Sequence, residues 1–313
     1  MPEAKGAARA QHTTAVLGTL FTAWVWGASF AAMKFALQAQ LSVGALLTLR
    51  FAIGGLCLGV LLLALKVPVR RGAVRDGLVL GLLLTAVFWL QVDGLRFTTT
   101  AKSGFITGLY VLFTPIVSVL LGTRLRLAHG LGALVATGGL FLLVHSPEAG
   151  GGWNRGDTQT LICALGCGIH IVLIGIYSRR SNGGVLAFMQ VAVVAVASLV
   201  ITLLLPAPYG FQGAAKALAR PGVWLSLLYL GVLATTVAFY LMSTLQAHLG
   251  ATEAAILYSL EPVFTALLAM SGWIPGIRER LSPLQLTGGA IILGAMLVAE
   301  LGPRWLGRNE PLQ

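Results

Sequence analysis

The sequence predicts an all-α integral membrane protein of ten transmembrane helices, arranged as two inverted five-helix repeats. Three observations lead there. The chain is 57% hydrophobic and 10% charged with a mean hydropathy of +0.87, far more apolar than a water-soluble domain. Its apolar residues fall in ten successive runs, each of about 20 residues and so able to cross a roughly 30 Å hydrocarbon core. A motif late in the first half also returns late in the second.

In order, the runs lie at approximately 13–36, 42–65, 76–97, 100–122, 127–146, 157–179, 184–206, 221–247, 250–273 and 284–303. The first is too long for a signal-peptide core and lacks a clear small-residue cleavage site, so it is read as a helix. Charged or Gly/Pro-rich joints separate the runs, among them Lys66 to Arg75, Arg124 to Arg126, Ser146 to Asp157, Arg179 to Gly184, Pro206 to Pro221 and Pro275 to Pro283. Alternate joints carry 12 Lys and Arg on the side of both termini and 7 on the other, which assigns the termini to the cytoplasm. The first half supplies this bias, 8 against 2, whereas the second gives 4 against 5. The expected organisation is a tail at 1–12, a first repeat at 13–146, a linker at 147–156, a second repeat at 157–303 and a tail at 304–313.

The repeat rests on Arg124-Leu125 followed by Gly132 and Gly138, which recurs as Arg280-Leu281 followed by Gly288 and Gly294 at an offset of 156. A mid-span proline precedes each copy, Pro115 in the fourth span and Pro262 in the ninth. Five crossings are an odd number, so the second copy enters the membrane upside down. Small-residue pairs at four-residue spacing, Gly55/Gly59, Gly77/Gly81, Gly104/Gly108 and Ala290/Gly294, suit close helix packing.

Composition also excludes. The net charge of +11 comes from 21 Lys and Arg scattered between apolar runs, without the clustered face that nucleic acid requires. Cys57, Cys163 and Cys167 lie inside apolar runs and offer no disulfide framework. No lysine follows a glycine, so the phosphate-binding Gly-Lys-Ser/Thr loop is absent. Cys163, Cys167 and His170 share a helix face but lack a fourth ligand, so no metal is expected. The five scattered histidines give no nucleophile and base pair, and no enzymatic activity is expected.

Glu261-Pro262 stands out because neither residue belongs cheaply in an apolar segment. A carboxylate in hydrocarbon faces a cavity or a partner by default. Proline removes a donor and frees the carbonyl four residues back: that of Tyr258 for Pro262 and of Val111 for Pro115. Glu261 either holds an ammonium, carries a coupling proton, or caps freed backbone. Polar stripes at helical spacing accompany it: Thr19, Thr22, Trp26 and Ser29; Ser103, Thr107, Tyr110 and Thr114; Thr236, Tyr240 and Ser243; Tyr258, Glu261 and Thr265. Converging stripes build a mixed cavity, while the plainer alternative is hydrogen bonding between helices.

Trp24, Trp26 and Trp89 are mid-span, too deep for the interfacial belt that accounts for Trp153, Trp224, Trp273 and Trp305. Trp26 and Trp89 are either pocket walls or packing. His170 is a candidate partner for a carboxylate or a structural histidine, and Gln91 and Gln190 are further polar candidates. Arg50 is expected to snorkel to the interface, and Lys34, Asp93, Lys102, Glu253 and Glu300 to be solvated at span ends.

Trp26-Gly27-Ala28-Ser29-Phe30 with Lys34, Thr99-Thr100-Ala101 leading to Phe105-Ile106-Thr107-Gly108-Leu109-Tyr110 and Pro115, and Glu261-Pro262-Val263-Phe264 followed by Glu279-Arg280-Leu281 resemble the EamA-type branch of the drug/metabolite transporter superfamily. Within it the chain is most similar to bacterial aromatic amino-acid exporters of the YddG type. The resemblance covers essentially the whole chain. It implies ten helices in inverted repeats, a bacterial inner-membrane location, and export of small neutral metabolites by alternating access without ATP hydrolysis or a cofactor. Aromatic or large apolar amino acids are the expected cargo, with a broader drug or metabolite exporter as the alternative. The expected partners are that small molecule and the lipid bilayer, with no obligate protein partner evident. The cavity is expected to offer aromatic faces from Trp26, Trp89, Tyr110 and Tyr240, carboxylate binding near His170, and ammonium binding near Glu261 or the freed carbonyls. Three departures are visible. Gly122-Thr123 stands where the family often carries Gly-Glu, the equivalent after the ninth span is stretched to Trp273-Ile274-Pro275-Gly276-Ile277-Arg278-Glu279, and the first span lacks the glutamate by which small relatives expel cationic drugs.

Overall fold

The computed structural model describes residues 2–120, 127–145, 152–245, 248, 249, 254 and 257–305. Among these residues all regular structure is helical. The helices are α1 (Pro2–Gln38), α2 (Val43–Ala64), α3 (Arg71–Leu95), α4 (Thr100–Gly108), α5 (Tyr110–Leu120), α6 (Leu127–Val144), α7 (Arg155–Tyr177), α8 (Gly183–Leu204), the short α9 (Ala214–Leu218), α10 (Pro221–Leu228), a π-helical segment (Tyr229–Val237), α11 (Ala238–Leu245), α12 (Glu261–Ser271) and α13 (Pro283–Trp305). Among the described residues, seven spans are long and apolar enough to cross a membrane, and the shorter apolar stretches Leu134–Leu143, Glu261–Ser271 and Pro283–Val298 stand where three more spans are expected. The chain is a multi-pass membrane protein.

Short polar side chains start several of these helices, each accepting a hydrogen bond from a backbone amide otherwise left open at a helix start. Ser42 accepts from Ala45 N–H, Thr99 from Lys102 N–H and Asn182 from Val185 N–H. Asn154 and Asp157 form a reciprocal capping box at α7.

Three of the expected spans are interrupted. The fourth breaks at Leu109, one and a half turns before Pro115, which lies inside α5. In the eighth, a π-helical segment separates α10 from α11. The ninth restarts at Glu261, with Pro262 in the first turn of α12, where an amide would have no partner within α12 and the Tyr258 carbonyl is left for another donor.

α6 packs on α13, α2 on α8, and α4 on α12. α3 lies against α7 and α8, and α1 against α12, α11 and the π segment. Glycines bring several of these pairs close. A Cβ at Gly104 would sit 2.6 Å from Thr265 Cγ2, and one at Gly108 2.5 Å from Pro262 Cγ, so these two glycines seat α12. Gly77 and Gly81 likewise face Met189 and Val193 of α8. A Cβ on Gly139 or Gly288 would meet the other's carbonyl oxygen at 2.7 and 2.6 Å, whereas Gly138 and Gly294 have nothing within 4 Å. Of the repeated glycines Gly138, Gly288 and Gly294, it is Gly288, facing Gly139, that makes the close contact. Arg124, Leu125 and Glu253, with residues 147–151 of the expected linker, lie outside the described residues.

Both ends of α3 carry polar networks. Near its start, Asp76 accepts from Arg180 Nε at 2.9 Å, Arg180 Nη2 at 2.6 Å and Ser181 Oγ at 3.1 Å. These hydrogen bonds to Asp76 hold the Arg180 guanidinium, in a turn outside the spans, above its ordinary pKa. Near the other end, Asp93 accepts from Arg96, Arg155 and Gln159. Beside it Lys102 Nζ lies 2.6 Å from Asp157 Oδ2 with both side chains fully buried, and Thr98 Oγ1 donates to Asp157 Oδ1 at 2.7 Å. Lys34 Nζ donates to the carbonyls of Leu95 and Thr98, and Glu279 accepts from the open amides of Thr100 and Ala101 at the start of α4. The expectation that Lys34, Asp93 and Lys102 are simply solvated is corrected: each is bonded to groups of the neighbouring chain.

Candidate functional site

α1 brings Trp26 and Ser29 to the centre of the bundle, α2 brings Arg50, α3 Gln91, α4 Thr107, α5 Tyr110 and α7 His170, while Tyr258 and Glu261 come from the restart of the ninth span. Together with Phe30, Leu84, Val87, Phe88, Cys167, Ile171, Phe239 and Met242 they line a cavity of about 70 Å³. That is room for about five waters at roughly 15 Å³ of such space each. Eight candidate residues meet here: Trp26, Ser29, Gln91, Thr107, Tyr110, His170, Tyr258 and Glu261.

Glu261 is the first residue of α12 and is only 6% exposed. Its Oε2 lies 3.0 Å from Tyr110 Oη, and the same hydroxyl lies 3.2 Å from the Tyr258 carbonyl. One phenol thus serves both the carboxylate and the carbonyl that Pro262 frees. The start of α12 favours negative charge through the helix dipole. No cation among the described residues forms an ion pair with Glu261.

Trp26 stacks on Tyr258 at 5.7 Å between ring centroids and lies 5.5 Å from the ring of Phe239. Its indole Nε1 donates to the Ala234 carbonyl at 3.0 Å. Ala234 belongs to the π segment, whose wider turns change which carbonyls meet amides and which turn to other partners.

The remaining candidates divide. Gln190 is fully buried behind the wall; its Oε1 lies 2.8 Å from His170 Nε2 and its Nε2 donates to Ser243 Oγ at 3.2 Å. With Gln190 turned this way, His170 Nε2 is the donor of the pair, and Nδ1 of the neutral ring is an acceptor. His170 is therefore poorly placed to receive a carboxylate. Trp89 donates to Ser198 Oγ at 3.1 Å, packs near Tyr209 and is not part of the lining. Tyr240 is half-buried and also outside it, and Trp24, at 39% exposed beside Phe21, faces outward.

Of the stripes, Thr22, Ser29, Thr114 and Thr265 bond to carbonyls of their own helices, and Thr236 also reaches the Gly54 carbonyl of α2. Thr100, Ser103 and Thr107 are different, because their hydroxyls are buried without any hydrogen-bond partner.

Arg50 is the residue that sequence reasoning missed. It does not snorkel: at 1% exposed it lies in the cavity wall, over the rings of Phe51 and Phe88. A lone arginine some eight residues inside a span carries no mark that separates these fates.

Among the described residues no group of three or more His, Cys, Asp or Glu is placed to hold a metal.

Residues 13–145 and 155–300 match the sequence model of the EamA-like transporter family. An uncharacterized transporter of Archaeoglobus fulgidus is 34% identical over 298 residues, which is 95% of this chain and 89% of that one. A protein of known crystal structure superposes with a TM-score of 0.66 over 94% of this chain and 99% of that chain; at 23% identity the likeness is one of fold alone.

Proposed function

The chain belongs to the EamA-like transporter family, and from that premise we propose that it exports small neutral metabolites, foremost aromatic or large apolar amino acids, by alternating access without ATP hydrolysis. The observation that carries this reading is Glu261 itself: a buried carboxylate at a helix restart, bound across the cavity wall by Tyr110 and without a cation partner among the described residues. Discontinuous helices whose ends meet a central site are how many transporters bind polar cargo inside a membrane. The apolar wall of Phe30, Phe88, Phe239 and Met242 suits an apolar or aromatic side chain beside those polar groups.

Two further observations favour inverted repeats that rock about the cavity. The family match falls in two stretches, 13–145 and 155–300, close to the repeats at 13–146 and 157–303. The packing is also reciprocal under exchange of the halves: α6 meets α13, α2 meets α8, and α4 meets α12, while α7 meets α4 and α5 just as α1 meets α12. In this reading both termini face the cytoplasm of a bacterial inner membrane, and each end network of α3 closes one entrance. The cavity is small, so cargo enters only as the halves part.

The test is flux of labelled phenylalanine, tryptophan and methionine in proteoliposomes holding only this protein, with and without a proton gradient. Saturable flux of these amino acids is expected. No flux above empty liposomes, from protein shown to be folded, removes the amino-acid reading. It would leave the broader drug or metabolite exporter, which the flexible Met242 and largely apolar wall favour.

A further inference from the structure

Arg50 is the bulkiest side chain among those fully buried, and it stands in the wall of the central cavity. Its Nε donates to Thr235 Oγ1 at 3.0 Å, Nη1 to Met33 Sδ at 3.2 Å and Nη2 to the Ala234 carbonyl at 3.4 Å. Those partners are a hydroxyl, a thioether and a carbonyl, all neutral. No carboxylate among the described residues pairs with it. A guanidinium has five N–H donors, so each terminal nitrogen keeps one uncommitted. A buried cation left without an anion is costly, and the cavity is the place from which an anion can come.

Two independent features point the same way. The Thr107 hydroxyl, on the wall of the same cavity and 2% exposed, has no hydrogen-bond partner. Glu261, on that wall too, supplies the opposite charge and equally lacks an ionic partner among the described residues.

We propose that Arg50 is the carboxylate-binding group of the site, assisted by Thr107, with Glu261 holding the ammonium, so that the ligand class is the zwitterionic α-amino acid with an apolar side chain. This rests on the transport reading above and replaces His170 as the anion partner. One free N–H on each terminal nitrogen suits a two-point grip on a carboxylate, which a lysine does not reproduce. The rings of Phe51 and Phe88, with the guanidinium 5.2 and 4.8 Å from their centroids, hold its plane in place.

The experiment is competition against labelled phenylalanine flux in proteoliposomes, using phenylalaninamide and phenethylamine, which lack the carboxylate, and 3-phenylpropionate, which lacks the ammonium. In the wild type the two compounds without a carboxylate compete about ten- to a hundredfold more weakly than phenylalanine. Arg50→Met removes that preference, and Arg50→Lys restores part of it. Thr107→Val deletes a hydroxyl that has no partner, so it keeps the fold's stability while weakening half-saturation by phenylalanine about three- to tenfold.

Equal competition by phenylalanine and phenylalaninamide in the wild type overturns the assignment, whether or not the Arg50 variants fold. So does a folded Arg50→Met that keeps the preference. Wild-type liposomes that move no amino acid overturn the transport reading and this proposal with it, whereas amino-acid flux without a carboxylate preference overturns this proposal alone.

Discussion

The hydroxyl of Tyr110 is 3.0 Å from Glu261 Oε2 and 3.2 Å from the Tyr258 carbonyl, which has no amide from Pro262 to accept from. Tyr110→Phe keeps the ring and removes the only side-chain donor that both acceptors share. Leaving a buried acceptor unmet costs about 1–3 kcal/mol, more when it is charged. The variant is expected to unfold at lower temperature in detergent and to lose most flux. An unchanged melting temperature would show that the two acceptors have another donor.

Glu261→Gln separates binding from coupling. The amide preserves shape and an acceptor for Tyr110, but carries neither charge nor an exchangeable coupling proton. If Glu261 holds the ammonium alone, phenylalanine flux weakens at every gradient. If it also carries the coupling proton, the dependence on the gradient disappears as well. Flux measured across a series of imposed pH gradients tells these outcomes apart, and wild-type flux in the variant assigns the carboxylate to backbone support.

The networks at the two ends of α3 are expected to act oppositely. Lys102→Met leaves Asp157 buried without its cation, a change of about 3–5 kcal/mol for a buried pair. Asp76→Asn removes the charge that draws Arg180 and weakens the bonds at the other end. Cys167, on the cavity wall, reports which entrance opens. In vesicles of known sidedness and a Cys57→Ser background, impermeant maleimide should label Cys167 faster from one face in the first variant and from the opposite face in the second. Labelling that quickens from the same face in both would rule out opposed gates.

Gly108→Ala places a methyl 2.5 Å from Pro262 Cγ and 3.1 Å from Met296 Cε. A proline ring cannot swing aside, so the α12 restart must move, at a cost of about 1–3 kcal/mol. Gly138→Ala meets nothing within 4 Å and should be neutral or gain up to about 1 kcal/mol of helix propensity. Thermal unfolding of the pair checks the contrast, and flux should fall only in the first.

Much of the architecture was legible because hydrocarbon imposes a simple demand on the chain. Apolar runs of the required length place the helices, and a carboxylate beside proline at 261–262 marks a break and a cavity. What the sequence withheld depends on neighbours from distant segments. Arg50 reads as a surface residue until Thr235, Ala234 and Met33 are seen around it, and Lys102 until Asp157 is. Trp89 and Gln190 have the right depth but point behind the wall, since depth along a span does not fix direction around it. The fourth span breaks at Leu109, just after Gly108, rather than at Pro115, which stays inside α5.

The π segment also sets an orientation. A π turn closes on the fifth residue instead of the fourth, so each takes up about one residue more than an α turn, and one residue corresponds to about 100° around the axis. Phe239 and Met242, just beyond Tyr229–Val237, owe their place on the cavity wall to that surplus. Tightening a single turn to α geometry would rotate both away and bring other residues of α11 inward without altering one letter of the sequence. The segment thus sets the phase with which α11 presents its residues to the wall.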